Sequence, residues 1–326
     1  MNKLTVCVCY YNSENHIQNC LDSINRFYND NADIIFVNDG SEDSSEKIIE
    51  NFIKSSRYKN IKNINHGKNL GLPLARLTGI KNTKTEWMVF LDSDDELNDD
   101  IFSYINSVSF ESDIDFIQFR SIDGDGKIGN QFIGIKNGRD YLNEFFRKEH
   151  SQVSLQIRIF KTALFYPSPF FSNVNHFDDN MSFPILVSRS KKILFIDKVF
   201  LKVNWTSNSI TRNIRSLKEL EKKKLYRVYY KNHYMHLKEN LVDTFKDDYY
   251  LRYQIEMIFK FSFYSTSLNF YEFKKELDNL IIDINKVCFL NFRFCLIIKS
   301  KNSIVLSFLG LKKTSILFYF LGKLKI

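Results

Sequence analysis

Five apolar residues, Trp87-Met-Val-Phe-Leu91, run directly into Asp92-Ser93-Asp94-Asp95-Glu96. A run this short cannot span a bilayer, and it reads as a buried strand that delivers carboxylates to its C-terminal end. Open α/β sheets bind their ligands at that end. Carboxylates held so close repel one another unless a cation lies between them. Mn2+ or Mg2+ would remove the conflict, because both take oxygen ligands and share them with substrate phosphates. The other reading is a solvated acidic turn that caps a helix from about Asp99, since acids are favoured at helix starts. The context of the turn decides between them.

That context is a repeated strand, turn and helix. Residues 4–9 and 33–37 are apolar on both faces and predict central strands, and residues 61–64 predict a shorter one. Ile17, Cys20, Leu21 and Ile24 recur at helical spacing behind Asn12 or Ser13 as the expected cap. Ser44 or Ser45 opens a second helix, Pro73 sits in the first turn of a third, and residues 101–108 form a fourth. Further strands are expected at 114–119, 153–160, 192–196 and 199–203, with helices at 141–147 and 183–188. Asp123-Gly-Asp-Gly126 lacks the rest of a calcium loop and predicts a hairpin turn. The fold class is therefore α/β, a mainly parallel sheet flanked by helices. A boundary near residue 210 divides it, as residues 1–210, from a mostly helical, Lys- and Tyr-rich region at 211–326.

The formal charge of +8 is compatible with nucleic acid, anionic ligands or a membrane surface, so its location matters. Residues 286–326 hold eight Lys or Arg and no Asp or Glu, mixed with unbroken aliphatic runs. That mixture argues against a nucleic-acid face. It fits a segment lying on an anionic leaflet, or a core-packing or dimer-forming helix with outward lysines. The five cysteines, Cys7, Cys9, Cys20, Cys288 and Cys295, lie in apolar runs with no C-x-x-C, and they are expected to be reduced core residues. Met1-Asn-Lys leads into the first strand without a signal peptide's apolar region. The expected location is cytoplasmic, peripheral on the inner face of the membrane if the C-terminal segment meets lipid. The sequon Asn204-Trp205-Thr206 then has no expected use.

Neither G-x-G-x-x-G nor G-x-x-x-x-G-K-[ST] occurs, so a bound diphosphate would need its charge neutralised in another way. The Asp92 cluster offers a metal for that purpose. Three other predicted strand ends carry polar groups, at Tyr11-Asn12, Asp39 and Asp178-Asp179, and a parallel sheet would bring such ends to one edge. His176 stands alone and is not counted as a ligand.

These stretches resemble, in order, the motifs of the family 2 inverting glycosyltransferases of the GT-A fold, of the bacterial surface-polysaccharide type. The likeness rests on Thr5-Val-Cys-Val-Cys-Tyr-Tyr11-Asn12-Ser-Glu14, Ile34-Ile-Phe-Val-Asn38-Asp39-Gly40-Ser41-Glu-Asp43 and Asn69-Leu-Gly71-Leu-Pro-Leu-Ala75-Arg76. Phe90-Leu-Asp92-Ser-Asp94-Asp95, Phe177-Asp178-Asp179-Asn180 and Asn208-Ser209-Ile210-Thr211 complete it, so it covers about residues 4 to 212.

The resemblance implies that Tyr11 and Asp39 contact the nucleotide base, with Arg76 near the base and Asp92 near the ribose. Asp94 would coordinate the metal and Asp179 would be the catalytic base; within the acidic cluster itself, Asp95 reads as the structural member. A UDP-sugar is the expected donor, and a glycan or lipid-linked glycan hydroxyl the expected acceptor. Cys9 stands where the family commonly has proline, Asn38 where a first aspartate is frequent, Asp178 where glutamate is usual, and Leu77-Thr78 where asparagine often follows the arginine. Two rival functions are a nucleotidyltransferase that makes the sugar nucleotide and a non-catalytic binding or scaffold protein. The first would want a glycine-rich, basic loop after the first strand, which Tyr10-Tyr11-Asn12-Ser13-Glu14 does not supply.

Overall fold

The computed structural model describes residues 3–26, 32–98, 100–107, 113–129, 131–147, 152–170, 178–206 and 219–240, together with 257, 260–261, 264–265, 268, 270–273 and 275–276. The chain divides into two compact units, Met1–Glu144 with His150–Ser209, and Phe145–Glu149 with Ile210–Ile326.

The first unit is built on one sheet. Its parallel part comes from β1 (Leu4–Tyr10), β2 (Ala32–Asn38), β3 (Asn60–Asn65) and β4 (Trp87–Asp92). The helices between them are α1 (Ile17–Arg26), α2 (Ser45–Ser55) and α3 (Leu72–Asn82). After β4 come β5 (Glu96–Leu97), α4 (Ile101–Ser107), β6 (Ile114–Ile122), β7 (Gly134–Asn137), α5 (Gly138–Arg147), β8 (Arg158–Lys161), α6 (Asp178–Arg189) and β9 (Lys192–Lys202). The order across the sheet is β3-β2-β1-β4-β8-β6-β9-β5, with β7 also paired to β9. Strands β3, β2, β1 and β4 run parallel, β8 is antiparallel to both β4 and β6, and β6 runs parallel to β9.

Burial explains why these runs become central strands. Val6, Val8, Ile34, Phe36, Val89 and Leu91 are all removed from water in one core with Ile17, Leu21 and Ile24 of α1. Each such side chain contributes roughly 1.5–3 kcal/mol relative to exposure. Helix α3 lies so close to the sheet that a Cβ on Gly79 would stand 2.2 Å from Cys7 Sγ. Any larger residue there would force the Cys7 thiol to move.

Several expectations are modified. The stretch expected as a strand at 153–160 begins with a 3-10 turn at Leu155–Ile157, and only then does β8 start. The fully buried Arg158 donates to the carbonyls of Ser154 and Gln152, which holds that turn closed. The two strands expected at 192–196 and 199–203 are one strand, Lys192–Lys202, because register shifts against β6 absorb the break in pattern. Strands β5 and β7 were not anticipated, since two residues, or four with alternating exposure, carry little periodic signal. The Asp123 turn is a hairpin turn, in which Asp123 N–H bonds Lys127 O and Gly126 N–H bonds Asp123 O. Cys7, Cys9 and Cys20 are free thiols, and the first and last are buried.

The described part of the second unit contains α7 (Glu219–Asn240). Tyr226, Tyr230 and Tyr264 stack in it, and Lys231 pairs with Glu276 at 3.0 Å. Burial pushes the His233 imidazole down to about 3. The readings for Cys288, Cys295, His176, residues 208–211 and the basic segment 286–326, with its membrane and dimer alternatives, lie outside the described residues. Among the described residues, no helix is long and apolar enough to cross a membrane.

Candidate active site

Strand register assembles the site. Cys9 is opposite both Val37 and Asp92, and Tyr10 is opposite Asn38, so β1, β2 and β4 end together. Tyr11, Asp39 and the Asp92 turn therefore leave the sheet side by side. Tyr11 is 44% exposed there, whereas Asp39 is buried.

The loops after β1 and β2 are laced to each other. Asn12 N–H donates to Ser41 Oγ and Glu42 N–H to Asn12 Oδ1. Glu14 N–H donates to Asp43 Oδ2, and Ser44 N–H returns to Glu14 Oε2. Asn12 adopts φ +47, a left-handed conformation that asparagine tolerates better than most residues. The side chains expected to cap α1 are thus used elsewhere: Ser13 Oγ bonds Ser93 Oγ at 2.8 Å and ties the β1 loop to the acidic turn. In the alternative reading the acidic turn caps the helix that follows it; the cap there comes from Asp100, whose carboxylate accepts the Ser103 N–H at 2.8 Å.

Asp39 is held on three sides. Its Oδ1 accepts Leu70 N–H at 2.9 Å and contacts His66 Nδ1 at 2.9 Å, and its Oδ2 accepts Gly71 N–H at 2.8 Å. His66 Nε2 in turn meets Thr78 Oγ1 at 2.9 Å. Gly40 makes this packing feasible, because a Cβ there would lie 2.3 Å from the Lys68 backbone carbon, and its φ is +75.

Arg76 is 2% exposed, with its guanidinium over the Phe90 ring at 5.3 Å. Nη1 donates to Asp179 Oδ1, and Nη2 lies 3.5 Å from Asp92 Oδ1. The structure therefore sets Arg76 between two carboxylates from different parts of the chain, a connection that its motif did not announce. Asp179 lies in the first turn of α6, where carboxylates are favoured, and also receives the Leu155 N–H at 3.4 Å.

The acidic turn divides into outward and inward members. Asp92 and Asp94 are half-buried, whereas Asp95 is 3% exposed. Burial, with Asp92 and Asp94 adding repulsion, pushes the Asp95 carboxyl up to about 8, although the Asn204 N–H and Gln156 oppose this. The Asn204-Trp205-Thr206 stretch, which had no expected use, braces this turn. Asn204 N–H donates to Asp95 Oδ1 at 2.8 Å, its side-chain amide donates to Asp94 O at 2.9 Å, and Thr206 Oγ1 bonds Asp94 Oδ2 at 2.9 Å. His66, Ser93, Asn204 and Thr206 were missed because their partners are distant in sequence and no local pattern marks them.

Among the described residues, no group of three or more His, Cys, Asp or Glu side chains is arranged to hold a metal. The available oxygen donors are Asp92 and Asp94. One or two carboxylates suit Mg2+ or Mn2+ when phosphates and water complete the shell.

A parallel sheet with acids at one edge, joined to an antiparallel extension, is the architecture of a GT-A glycosyltransferase. Residues 5–170 match the model of glycosyl transferase family 2, and the chain belongs to that family. The teichoic acid poly(glycerol phosphate) polymerase of Staphylococcus epidermidis is 43% identical over 97 residues, covering 30% of this chain and 13% of that protein. Glycosyltransferase GlyA of Streptococcus pneumoniae is 32% identical over 164 residues, covering 49% of this chain and 22% of that protein. The matched stretches thus span less than a quarter of either relative. The structure of S. aureus TarS 1-349 in complex with UDP-GlcNAc superposes with a TM-score of 0.69 at 18% identity, covering 99% of this chain and 91% of that one. That likeness establishes the fold.

Proposed function

We propose that the chain transfers a sugar from a nucleotide-sugar donor, a UDP-sugar, to a hydroxyl of a glycan or lipid-linked glycan in bacterial surface-polysaccharide synthesis. The observation that carries this reading is the Arg76 bridge, which joins the donor-side acid Asp92 to Asp179 at the same sheet edge. Family membership favours sugar transfer over formation of the sugar nucleotide. A relative that is a teichoic acid poly(glycerol phosphate) polymerase and a neighbouring structure in complex with UDP-GlcNAc support the substrate classes.

In this reading Tyr11 and Asp39 hold the nucleotide base, Asp92 faces the ribose, and Asp94 carries the metal contact. Asp179 accepts the proton of the acceptor hydroxyl as that oxygen attacks the anomeric carbon from the face opposite the leaving diphosphate, which inverts the configuration. Arg76, placed near the nucleotide base, also orients Asp179 and supplies positive charge between the two acids. Mn2+ or Mg2+ bound by Asp94, with Asp92 beside it, would neutralise charge on the departing nucleoside diphosphate. Residues 1–210 would form the catalytic domain and 211–326 the region for acceptor, membrane or dimer contact.

The test is a thermal-shift and product-release screen of UDP-, GDP- and dTDP-sugars with Mn2+ or EDTA. A UDP-sugar should give the largest stabilisation, dependent on the ion, and release UDP on addition of acceptor. No shift with any nucleotide sugar in either condition would reject the reading.

A further inference from the structure

The bonds to Asp39 use most of its hydrogen-bonding capacity, and unevenly. A carboxylate offers about four acceptor positions, two on each oxygen. Leu70 N–H and Gly71 N–H are obligate donors, so both Asp39 oxygens act as acceptors. His66 then donates from Nδ1 to Oδ1, and its Nε2 lies 2.9 Å from Thr78 Oγ1. Oδ1 is filled by two donors, whereas Oδ2 has one. One position remains, on Oδ2.

We infer that His66 is a specificity-determining residue, which restricts Asp39 to a single N–H of the nucleotide base and so selects uracil or thymine over guanine. This rests on the reading above that Asp39 meets the base. Uracil and thymine present one imide N–H, which the open position of Oδ2 accepts. Guanine presents N1–H and its exocyclic amine as a parallel fork that needs one open position on each oxygen, and His66 occupies the one it would need on Oδ1. Cytosine and adenine present ring acceptors on the corresponding edge, which an accepting carboxylate repels. Thr78 fixes the ring's orientation from α3, so the filter is set by tertiary packing and not by the β2 turn alone.

The experiment is titration calorimetry of UDP, GDP and CDP against the full chain with Mn2+ present. Wild type should bind UDP at least about tenfold more tightly than GDP or CDP, the scale of one hydrogen bond to a charged group. His66→Ala, which opens Oδ1, should lose roughly fivefold in UDP affinity and narrow the UDP-to-GDP ratio about tenfold. His66→Gln, with an amide N–H in reach of Oδ1, should restore the wild-type ratio. A purely structural role for His66 would weaken UDP and GDP in proportion, and an unchanged ratio in His66→Ala therefore overturns the inference, as does equal UDP and GDP affinity in wild type. If His66→Ala fails to fold, Thr78→Val serves in its place: it keeps the imidazole but removes its second anchor, and an unchanged ratio there overturns the inference equally. Asp39→Asn separates the two levels, since unaltered UDP affinity in that variant rejects the base contact itself.

Discussion

The guanidinium of Arg76 on α3 is hydrogen-bonded to the carboxylate of Asp179 on α6, 103 residues away in sequence. Asp179→Asn keeps an oxygen for Arg76, gives up the weaker 3.4 Å bond from the Leu155 N–H, and cannot take up a proton. Transfer should fall by at least about 100-fold, the usual contribution of a general base. UDP affinity measured by calorimetry should stay within about twofold, less than one ordinary hydrogen bond is worth. Wild-type turnover in this variant would remove Asp179 from the chemistry.

Asp94 is one of the two outward carboxylates and is braced by Thr206. Asp94→Ala should weaken Mn2+-dependent UDP binding by roughly 10- to 100-fold, and Thr206→Val should do so more mildly by loosening the carboxylate. Calorimetry with Mn2+ and with EDTA reads this directly. Equal affinities in wild type and Asp94→Ala under both conditions would move the metal contact elsewhere.

Asp95 makes stability depend on pH. Its carboxyl is raised to about 8, so between the ordinary aspartate range near pH 4 and about pH 8 the folded chain holds a proton that the unfolded chain has lost. The unfolded state binds fewer protons across that window, and this group's contribution to stability falls as pH rises through it. Asp95→Asn keeps an acceptor for the Asn204 N–H without the charge. Its melting temperature should exceed that of wild type at pH 8 in EDTA, with the gap closing toward pH 4. A gap independent of pH would contradict the assignment.

Gly40 stands at φ +75 with the Lys68 backbone against it. Gly40→Ala should cost about 3 kcal/mol, from left-handed backbone strain together with displacement of the loop that carries Leu70 and Gly71. Urea denaturation measures the loss, and weakened UDP binding should accompany it.

Much was legible from residue order alone. Period, turn residues and apolar runs located β1 to β4, α1 to α4 and the acids that follow the strands, because these signals are local and burial rewards them residue by residue. The motif series at Tyr11, Asp39, Arg76, Asp92, Asp94 and Asp179 pointed to the family for the same reason. Partnerships were not legible. Nothing near Arg76 in sequence indicates that it bridges Asp92 and Asp179, and nothing near Asn204 indicates that it holds Asp94 and Asp95. Tertiary structure alone decided which acids face outward, which one is buried, and how many acceptor positions Asp39 retains. Burial and hydrogen-bond geometry depend on segments brought together by the sheet, and residue order records the segments but not their meeting.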